Sequence, residues 1–208
     1  MTIFLSDLHL GHKYAGDLSY LYKWLENQSR DQKIYLVGDI FDDHRLRKWP
    51  SSHYSVLFAI LSFGEIFYCP GNHDKAFREL VPSGYTGMCI ANVLIKDEFY
   101  YEAGDGKHYL VTHGDQHDSL MKYALVSSRI VGHTIRKLCD LVHGWFTGHT
   151  GYTIVTYAKQ QGYDGVICGH THDPEISTIE GLTYVNLGDW NTVVIEHDGV
   201  FNQYNVLD

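Results

Sequence analysis

Carboxylate, imidazole and carboxamide side chains recur in five short blocks: Asp7-Leu8-His9, Gly38-Asp39, Gly71-Asn72-His73-Asp74, His113-Gly114 and Gly169-His170-Thr171-His172. These groups are ordinary ligands of divalent cations, and together they suffice for two ions. In Asp7-Leu8-His9 and His170-Thr171-His172 the paired donors lie two residues apart, which puts both on one side of an extended chain. Two adjacent cations answer the difficulty of hydrolysing a phosphate ester: they neutralise the oxygens that repel a nucleophile and generate hydroxide near neutral pH. Closely spaced cations need an anionic bridge. Asp39 is the best placed, with Gly38 before it permitting close backbone approach. A nitrogen-containing donor set suits Mn²⁺ first, and Fe²⁺ or Zn²⁺ as well, whereas Mg²⁺ prefers an all-oxygen shell.

Each block follows a short apolar run that reads as a β-strand: Ile3 to Leu5, Ile34 to Val37, Ile66 to Tyr68, Tyr109 to Val111 and Val166 to Cys168. The donors then gather along the strand ends of one sheet system, where α/β enzymes build their sites. Between the first strands, Asp17 caps a helix carrying Leu18, Leu21, Tyr22, Trp24 and Leu25. A second helix starts at Ser51 or Ser52, with Tyr54, Leu57, Phe58 and Leu61 inward, and ends near Gly64. From Met88 the chain is β-rich, with a hairpin at Gly104-Asp105-Gly106. Helical pattern runs from Ser119 to about Trp145 and from Thr150 to Gln161, and the C-terminal stretch reads as a meander turning at Glu180-Gly181 and Asp198-Gly199. Two packed sheets covered by helices accommodate these elements better than one wound sheet.

With 208 residues, 44% of them hydrophobic, and no linker or repeat, the chain reads as a single domain over residues 1–208. A net charge of -9 argues against broad affinity for nucleic acid, which needs a basic surface. Cys69, Cys89, Cys139 and Cys168 lack CxxC spacing and read as buried free thiols. The first residues enter a strand without a charged leader, and no apolar run is long enough to span a bilayer. The expected location is cytoplasmic, at most peripheral to a membrane.

One Gly-Asp or His-Gly alone reads as a turn, but five blocks in order after five strands form a specific set. That set resembles the calcineurin-like metallophosphoesterases, whose signature runs DxH, GDxxD, GNH(D/E), H and GHxH. The resemblance covers nearly the whole chain and implies an α/β (α+β) fold, a four-layer αββα sandwich, with a dinuclear site. By matching positions it implies that Asp7, His9, Asp39 and His172 hold the first metal. Asp39, Asn72, His113 and His170 would hold the second, with Asp39 bridging. It implies further that His73 meets the scissile phosphate and leaving group, that Asp74 orients and polarises His73, and that a bridging water or hydroxide is the nucleophile.

Within that family the chain resembles the group around bacterial UDP-2,3-diacylglucosamine hydrolase through Gly38 to Asp42 with its basic continuation, His113 to Asp118, and Asn186-Leu187-Gly188-Asp189-Trp190. Hydrolases of that type generally carry arginine where this chain has His73, and a Gly-Ala-Trp-His type sequence near Gly188-Asp189-Trp190. This chain is similar instead to the related branch with Gly-Asn-His-Asp and Gly-Asp-Trp. The reading is a phosphohydrolase acting on a phosphodiester or pyrophosphate bond in a small or lipid-linked nucleotide. Cyclic-nucleotide phosphodiesterase, nuclease and non-catalytic scaffold are the alternatives. Arg45, Arg47 and Lys48 follow the bridging-aspartate loop and are candidates to contact a second phosphate or other anionic part of the substrate. The segment 119–149 combines an apolar side with Lys122, Arg129, Arg136 and Lys137. It reads as a short helical substrate cap, a peripheral membrane contact or a core-packing helix. His12 and His117 lie near ligand blocks and are expected to line the pocket, while Trp190 reads as a core residue.

Overall fold

Alternation along the strands decides the layering. In β1 (Thr2–Leu5), Ile3 and Leu5 face one side and Phe4 the other, and in β2 (Lys33–Val37), Ile34 and Leu36 oppose Tyr35 and Val37. The computed structural model describes residues 1–12, 15–42, 48–81, 87–118 and 151–207. The next strands are β3 (Glu65–Cys69), β4 (Met88–Ile90), β5 (Val93–Ile95), β6 (Phe99–Glu102), β7 (His108–Val111) and β8 (Gly165–Cys168). They are followed by β9 (Glu175–Ile179), β10 (Leu182–Asn186), β11 (Thr192–His197) and β12 (Val200–Asn205). Strand ends differ from the sequence expectation by one or two residues, the usual uncertainty at element boundaries.

Seven strands form one sheet in the order β12-β11-β1-β2-β3-β5-β4, and five form a second in the order β6-β7-β8-β10-β9. β1, β2, β3 and β5 are mutually parallel, as are β7, β8 and β10, and antiparallel strands complete both edges. Helices α1 (Ser19–Glu26) and α2 (Ser51–Leu61) cover the larger sheet, where Leu21, Leu25, Val56 and Ile60 meet Ile3, Leu5, Ile34 and Leu36. Between the sheets, Phe4, Tyr35 and Val37 pack with Tyr109, Val111, Ile167 and Val185. On the far side, Leu110, Val166 and Tyr184 meet Ile154, Val155 and Ala158 of α4 (residues 151–160), which comes after the short α3 (Lys75–Arg78) in the chain. The result is the expected αββα stack with mixed sheets.

The N-cap of α1 is Leu18 rather than the expected Asp17, which stands one residue earlier, its Oδ1 accepting from the Ser19 amide at 3.0 Å. The α2 expectation holds for its start at Ser51 and for Tyr54 and Leu57, which pack against the core, and needs correction for Phe58 and Leu61. His53, Val56, Ala59 and Ile60 are its buried residues, whereas Phe58 and Leu61 are 67% and 44% exposed. This helix has apolar residues around much of its circumference, so period alone does not select a face. His53 does: its Nδ1 accepts from the Gly11 amide at 2.9 Å and its Nε2 lies 3.0 Å from the Gly16 carbonyl, contacts available only with that face inward. Cys69 and Cys168 are buried free thiols, but Cys89 is exposed on edge strand β4; Cys139 lies outside the described residues. The 119–149 segment, with its cap, membrane and core readings, also lies outside the described residues. Among the described residues no helix is long and apolar enough to cross a membrane.

Candidate dinuclear metal centre

The ligand blocks follow the C-terminal ends of β1, β2, β3, β7 and β8, so parallel pairing brings them to one end of the sandwich. The loops after β1 and β2 run side by side: the Asp7 amide donates to the Gly38 carbonyl at 2.9 Å, and the His9 amide to the Asp39 carbonyl at 3.0 Å. The backbone is strained where the donors sit. Asp7, His9, Asp39, His170 and His172 all have positive φ, between 46° and 75°, and they make up five of the eight non-glycine residues so placed among those described. Such conformations are costly for ordinary residues and persist where the surroundings over-determine them, commonly at functional sites. Close approach is equally constrained. A Cβ at Gly38 would collide with the His113 ring and one at Gly71 with the Asp39 carboxylate, so each glycine lets a donor from another strand sit against its backbone.

Among the described residues three groups of donors have their ligand atoms mutually within 4.8 Å: two share Asp7, namely Asp7, His9 and His172, and Asp7, Asp39 and His113, and the third is His9, Asp42 and His73. In the first, His172 Nε2 is 3.1 Å from Asp7 Oδ1 and 3.2 Å from His9 Nε2. In the second, His113 Nε2 is 3.4 Å from Asp39 Oδ2. Asp7 belongs to both of these groups, whereas Asp39, the expected bridge, falls in the second. Asp39 Oδ1 accepts from the His73 amide at 2.7 Å, which fixes its carboxylate on that side. Asp7 Oδ1, Asn72 Oδ1 and His113 Nε2 are buried without a hydrogen-bond partner. Asp7 and His113 belong to one donor group, which fits a bound cation there, because a buried donor or acceptor left unmatched costs about 1–3 kcal/mol. The electrostatics agree: burial alone would lower the His113 pKa, yet Asp7 and Asp39 raise it to about 10. That field favours positive charge.

A cleft of about 360 Å³ opens over these groups, lined by His9, His12, Asp39, Asp42, Asn72, His73, His170, His172 and Trp190. His73 is 47% exposed in it, its Nδ1 2.6 Å from Asp42 Oδ1 and its Nε2 3.9 Å from Asp39 Oδ2. Asp42 Oδ1 also lies 3.0 Å from His9 Nδ1. The Asp42 hydrogen bond raises the His73 pKa despite partial burial. The hydrogen-bond partner of His73 is therefore Asp42 rather than the expected Asp74, whose charge still adds to the field that raises the His73 pKa. Asp74 is fully buried, and its carboxylate accepts from the amides of Ile40, Phe41 and Gly71 at 3.1, 2.8 and 3.0 Å. It ties the Asp39 loop to the Asn72 loop. Asp42 is the last residue of the GDxxD block, so its type and position were on view; which carboxylate faces His73 was not.

His170 joins the cleft, its amide donating to Asp7 Oδ2 at 3.0 Å and its Nε2 3.2 Å from Asp118 Oδ2. His12 lines the cleft as expected, whereas His117 packs its ring 4.7 Å from that of Tyr157 and is not among the lining residues. Trp190 packs on the core and also lines the cleft, its ring edge-to-face with His9 at 6.4 Å. Asp42, Asp118 and Trp190 are the residues that sequence reasoning left out of the site. Arg45 and Arg47 lie outside the described residues; Lys48 is exposed and stands apart from the residues lining the cleft.

A family model for calcineurin-like phosphoesterases matches residues 2–174, a span that starts at β1 and takes in all five ligand blocks. The chain belongs to the calcineurin-like phosphoesterase family. This phosphoesterase-family chain is similar to UDP-2,3-diacylglucosamine hydrolase from Aromatoleum aromaticum, at 21% identity over 223 residues, covering 91% of this chain and 89% of that protein. Among solved structures, wild-type Vps29 from Entamoeba histolytica, complexed with Zn²⁺, aligns with a TM-score of 0.52 at 13% identity, covering 100% of this chain and 93% of that one. Vacuolar protein sorting 29 from Cryptosporidium parvum aligns with a TM-score of 0.53 at 13% identity, covering 98% and 94%. At such identities the structural likeness speaks for the fold alone.

Proposed function

We propose that this phosphoesterase is a dinuclear metal-dependent hydrolase that cleaves a phosphodiester or pyrophosphate bond in a small or lipid-linked nucleotide, in the cytoplasm. The observation that carries the reading is the convergence of two donor groups that share Asp7, one with His9 and His172 and the other with Asp39 and His113, each with its ligand atoms mutually within 4.8 Å. Asp7, His9, Asp39 and His172 would hold one ion, and Asp39, Asn72, His113 and His170 the other. Mn²⁺ suits this mixture of imidazole, carboxylate and carboxamide best, with Fe²⁺ or Zn²⁺ as alternatives. When bound, the ions supply charge neutralisation for the phosphate oxygens and activation of water.

The chain's own residues do the rest. His73 stands at the cleft, half exposed, with Nδ1 held by Asp42 and Nε2 directed toward Asp39. That arrangement leaves Nε2 to carry the proton that a departing alkoxide or phosphate takes up. Asp74 holds the two loops that bring Asp39 and Asn72 together. A nucleotide diphosphate carrying a lipid accords with the curated relative, which by name acts on UDP-2,3-diacylglucosamine. Arg45 and Arg47 are assigned the second phosphate of such a substrate, whereas Lys48 is not among the residues lining the cleft. The buried thiols Cys69 and Cys168 accord with a reducing compartment.

The test is hydrolysis by Mn²⁺-loaded protein, with metal-free protein as control, of bis-p-nitrophenyl phosphate, p-nitrophenyl phosphate, UDP-sugars, UDP-2,3-diacylglucosamine, cyclic nucleotides and single-stranded DNA. Preference for the diacyl nucleotide supports the proposal, and Arg45→Ala with Arg47→Ala should then raise KM. Preference for cyclic nucleotides or DNA overturns the substrate class. Silence across the panel with two ions bound points to a non-catalytic role.

A further inference from the structure

Arg78, the last residue of α3 (Lys75–Arg78), makes a forked contact remote from the cleft lining. Its Nη1 and Nη2 donate to the two carboxylate oxygens of Asp115 at 2.8 and 2.9 Å, and Nη2 also donates to the Pro70 carbonyl at 2.5 Å. Pro70 begins the loop that carries Asn72 and His73. Asp115 lies two residues after His113 and opens a 3₁₀ turn, Asp115–His117. That turn is closed by the Asp118 amide, which donates to the Asp115 carbonyl at 3.2 Å, and Asp118 Oδ2 then lies 3.2 Å from His170 Nε2. One connected chain of contacts thus joins the loops bearing Asn72, His113 and His170. From His170 it reaches Asp7 through the His170 amide at 3.0 Å and runs on along the same loop to His172, whereas none of these contacts is made by His9.

We infer that Arg78, Asp115 and Asp118 are positioning residues for the metal pocket formed with Asn72, His113 and His170, and that they set its affinity far more than that of the pocket around His9 and His172. The inference rests on the two-ion reading above. Its physical basis is the fixed fork of the guanidinium, which matches a carboxylate bidentately and holds a third acceptor at a set angle. Side chains that orient ligands in this way, without touching the ion, commonly govern metal affinity by about 10- to 100-fold. Lysine keeps the charge but cannot reproduce the fork, so Arg78→Lys separates geometry from electrostatics.

The experiment titrates metal-free wild type, Arg78→Lys, Arg78→Met and Asp118→Ala with Mn²⁺ by calorimetry, alongside thermal unfolding of each. Anomalous scattering from Mn²⁺-soaked crystals then locates any ion lost. Wild type should take up two ions. In the variants one ion should bind about 10- to 100-fold more weakly while the other loses far less affinity. The lost density should lie beside His113, and electron paramagnetic resonance should change from a spin-coupled pair to an isolated Mn²⁺. Arg78→Lys and Asp118→Ala keep the test open if Arg78→Met does not fold. Two ions bound with wild-type affinity in both would overturn the inference. So would parallel weakening of both ions with a lowered Tm, the mark of a merely structural role. If wild type itself takes up fewer than two ions, the two-ion reading fails, and the inference with it.

Discussion

The two ends of the β-sandwich treat buried polar groups in opposite ways. At the end where β1, β2, β3, β7 and β8 terminate, Asp7 Oδ1, Asn72 Oδ1 and His113 Nε2 are buried without hydrogen-bond partners, and the donors Asp7, His9, Asp39, His170 and His172 have positive φ. At the other end Glu196, in register with Thr2 at the start of β1, is equally buried and fully engaged. Its Oε2 accepts from the Tyr101 hydroxyl at 2.5 Å, and its Oε1 from the amides of Gly104 and Gly199 at 3.0 and 2.7 Å. One carboxylate therefore joins the β6–β7 turn of one sheet to the β11–β12 turn of the other. The difference teaches how labour is divided. One end holds the sheets together, and the other tolerates strain and unmatched charge that a cation would relieve.

The division is broken most severely by Asp39→Asn. Loss of that charge at the ligand end should lower kcat on the order of 10³-fold and reduce metal occupancy, measured by initial rates and metal content. Stability of the metal-free protein should fall modestly, because, despite burial, His113 Nε2 at 3.4 Å and the donating His73 amide hold the Asp39 pKa well below the usual carboxylate range. Normal metal content with a normal rate would overturn the assignment of Asp39.

Glu196→Ala reverses the pattern. It leaves the Tyr101 hydroxyl and two turn amides unsatisfied, so unfolding in urea should show a loss of about 3 kcal/mol. The rate constant of the folded, Mn²⁺-loaded variant should match wild type within about twofold, since distant sites act almost additively. A large fall in kcat without unfolding would mean that the two ends are coupled.

Metal addition sharpens the comparison from the other side. Mn²⁺ at about one hundred times its Kd should stabilise wild type by about 2.7 kcal/mol for each ion. Glu196→Ala should gain the same increment, and Asp39→Asn much less. Removal of the metal with a chelator should return each protein to its starting Tm.

What the sequence makes legible follows the same boundary. Alternation in Ile3-Phe4-Leu5 and in Tyr109-Leu110-Val111 is local, and it correctly separates residues facing helices from those facing the second sheet. The ligand blocks are legible because donors two residues apart at strand ends are also a local pattern. The clamp is not. Glu196 and Tyr101 are 95 residues apart, and neither carries a signal of its partner. The Arg78–Asp115 fork spans 37 residues and is hidden for the same reason. Proximity in sequence can also mislead. Asp74 follows His73 directly, yet backbone amides of Gly71, Ile40 and Phe41 turn its carboxylate away, and Asp42 takes the partnership.

That exchange gives the smallest and most discriminating prediction. His73→Ala should keep its metals and lower kcat about 10²-fold, with the larger loss on substrates with poor leaving groups. Asp42→Asn keeps a hydrogen-bond acceptor for His73 Nδ1 but loses the charge that favours the protonated ring, so kcat should fall only about tenfold. Asp74→Asn belongs to the other category. An amide cannot accept at every position where the carboxylate now meets three backbone N–H groups, so stability should fall by about 1–3 kcal/mol. The Mn²⁺-loaded folded fraction should retain most of its kcat, because the carboxylate facing His73 is untouched. Measured together on one fast and one slow leaving group, the three variants assign the proton path: leaving-group dependence shared by His73→Ala and Asp42→Asn, and absent from Asp74→Asn, places Asp42 behind the acid. The same dependence in Asp74→Asn with Asp42→Asn silent would restore the pairing suggested by sequence adjacency.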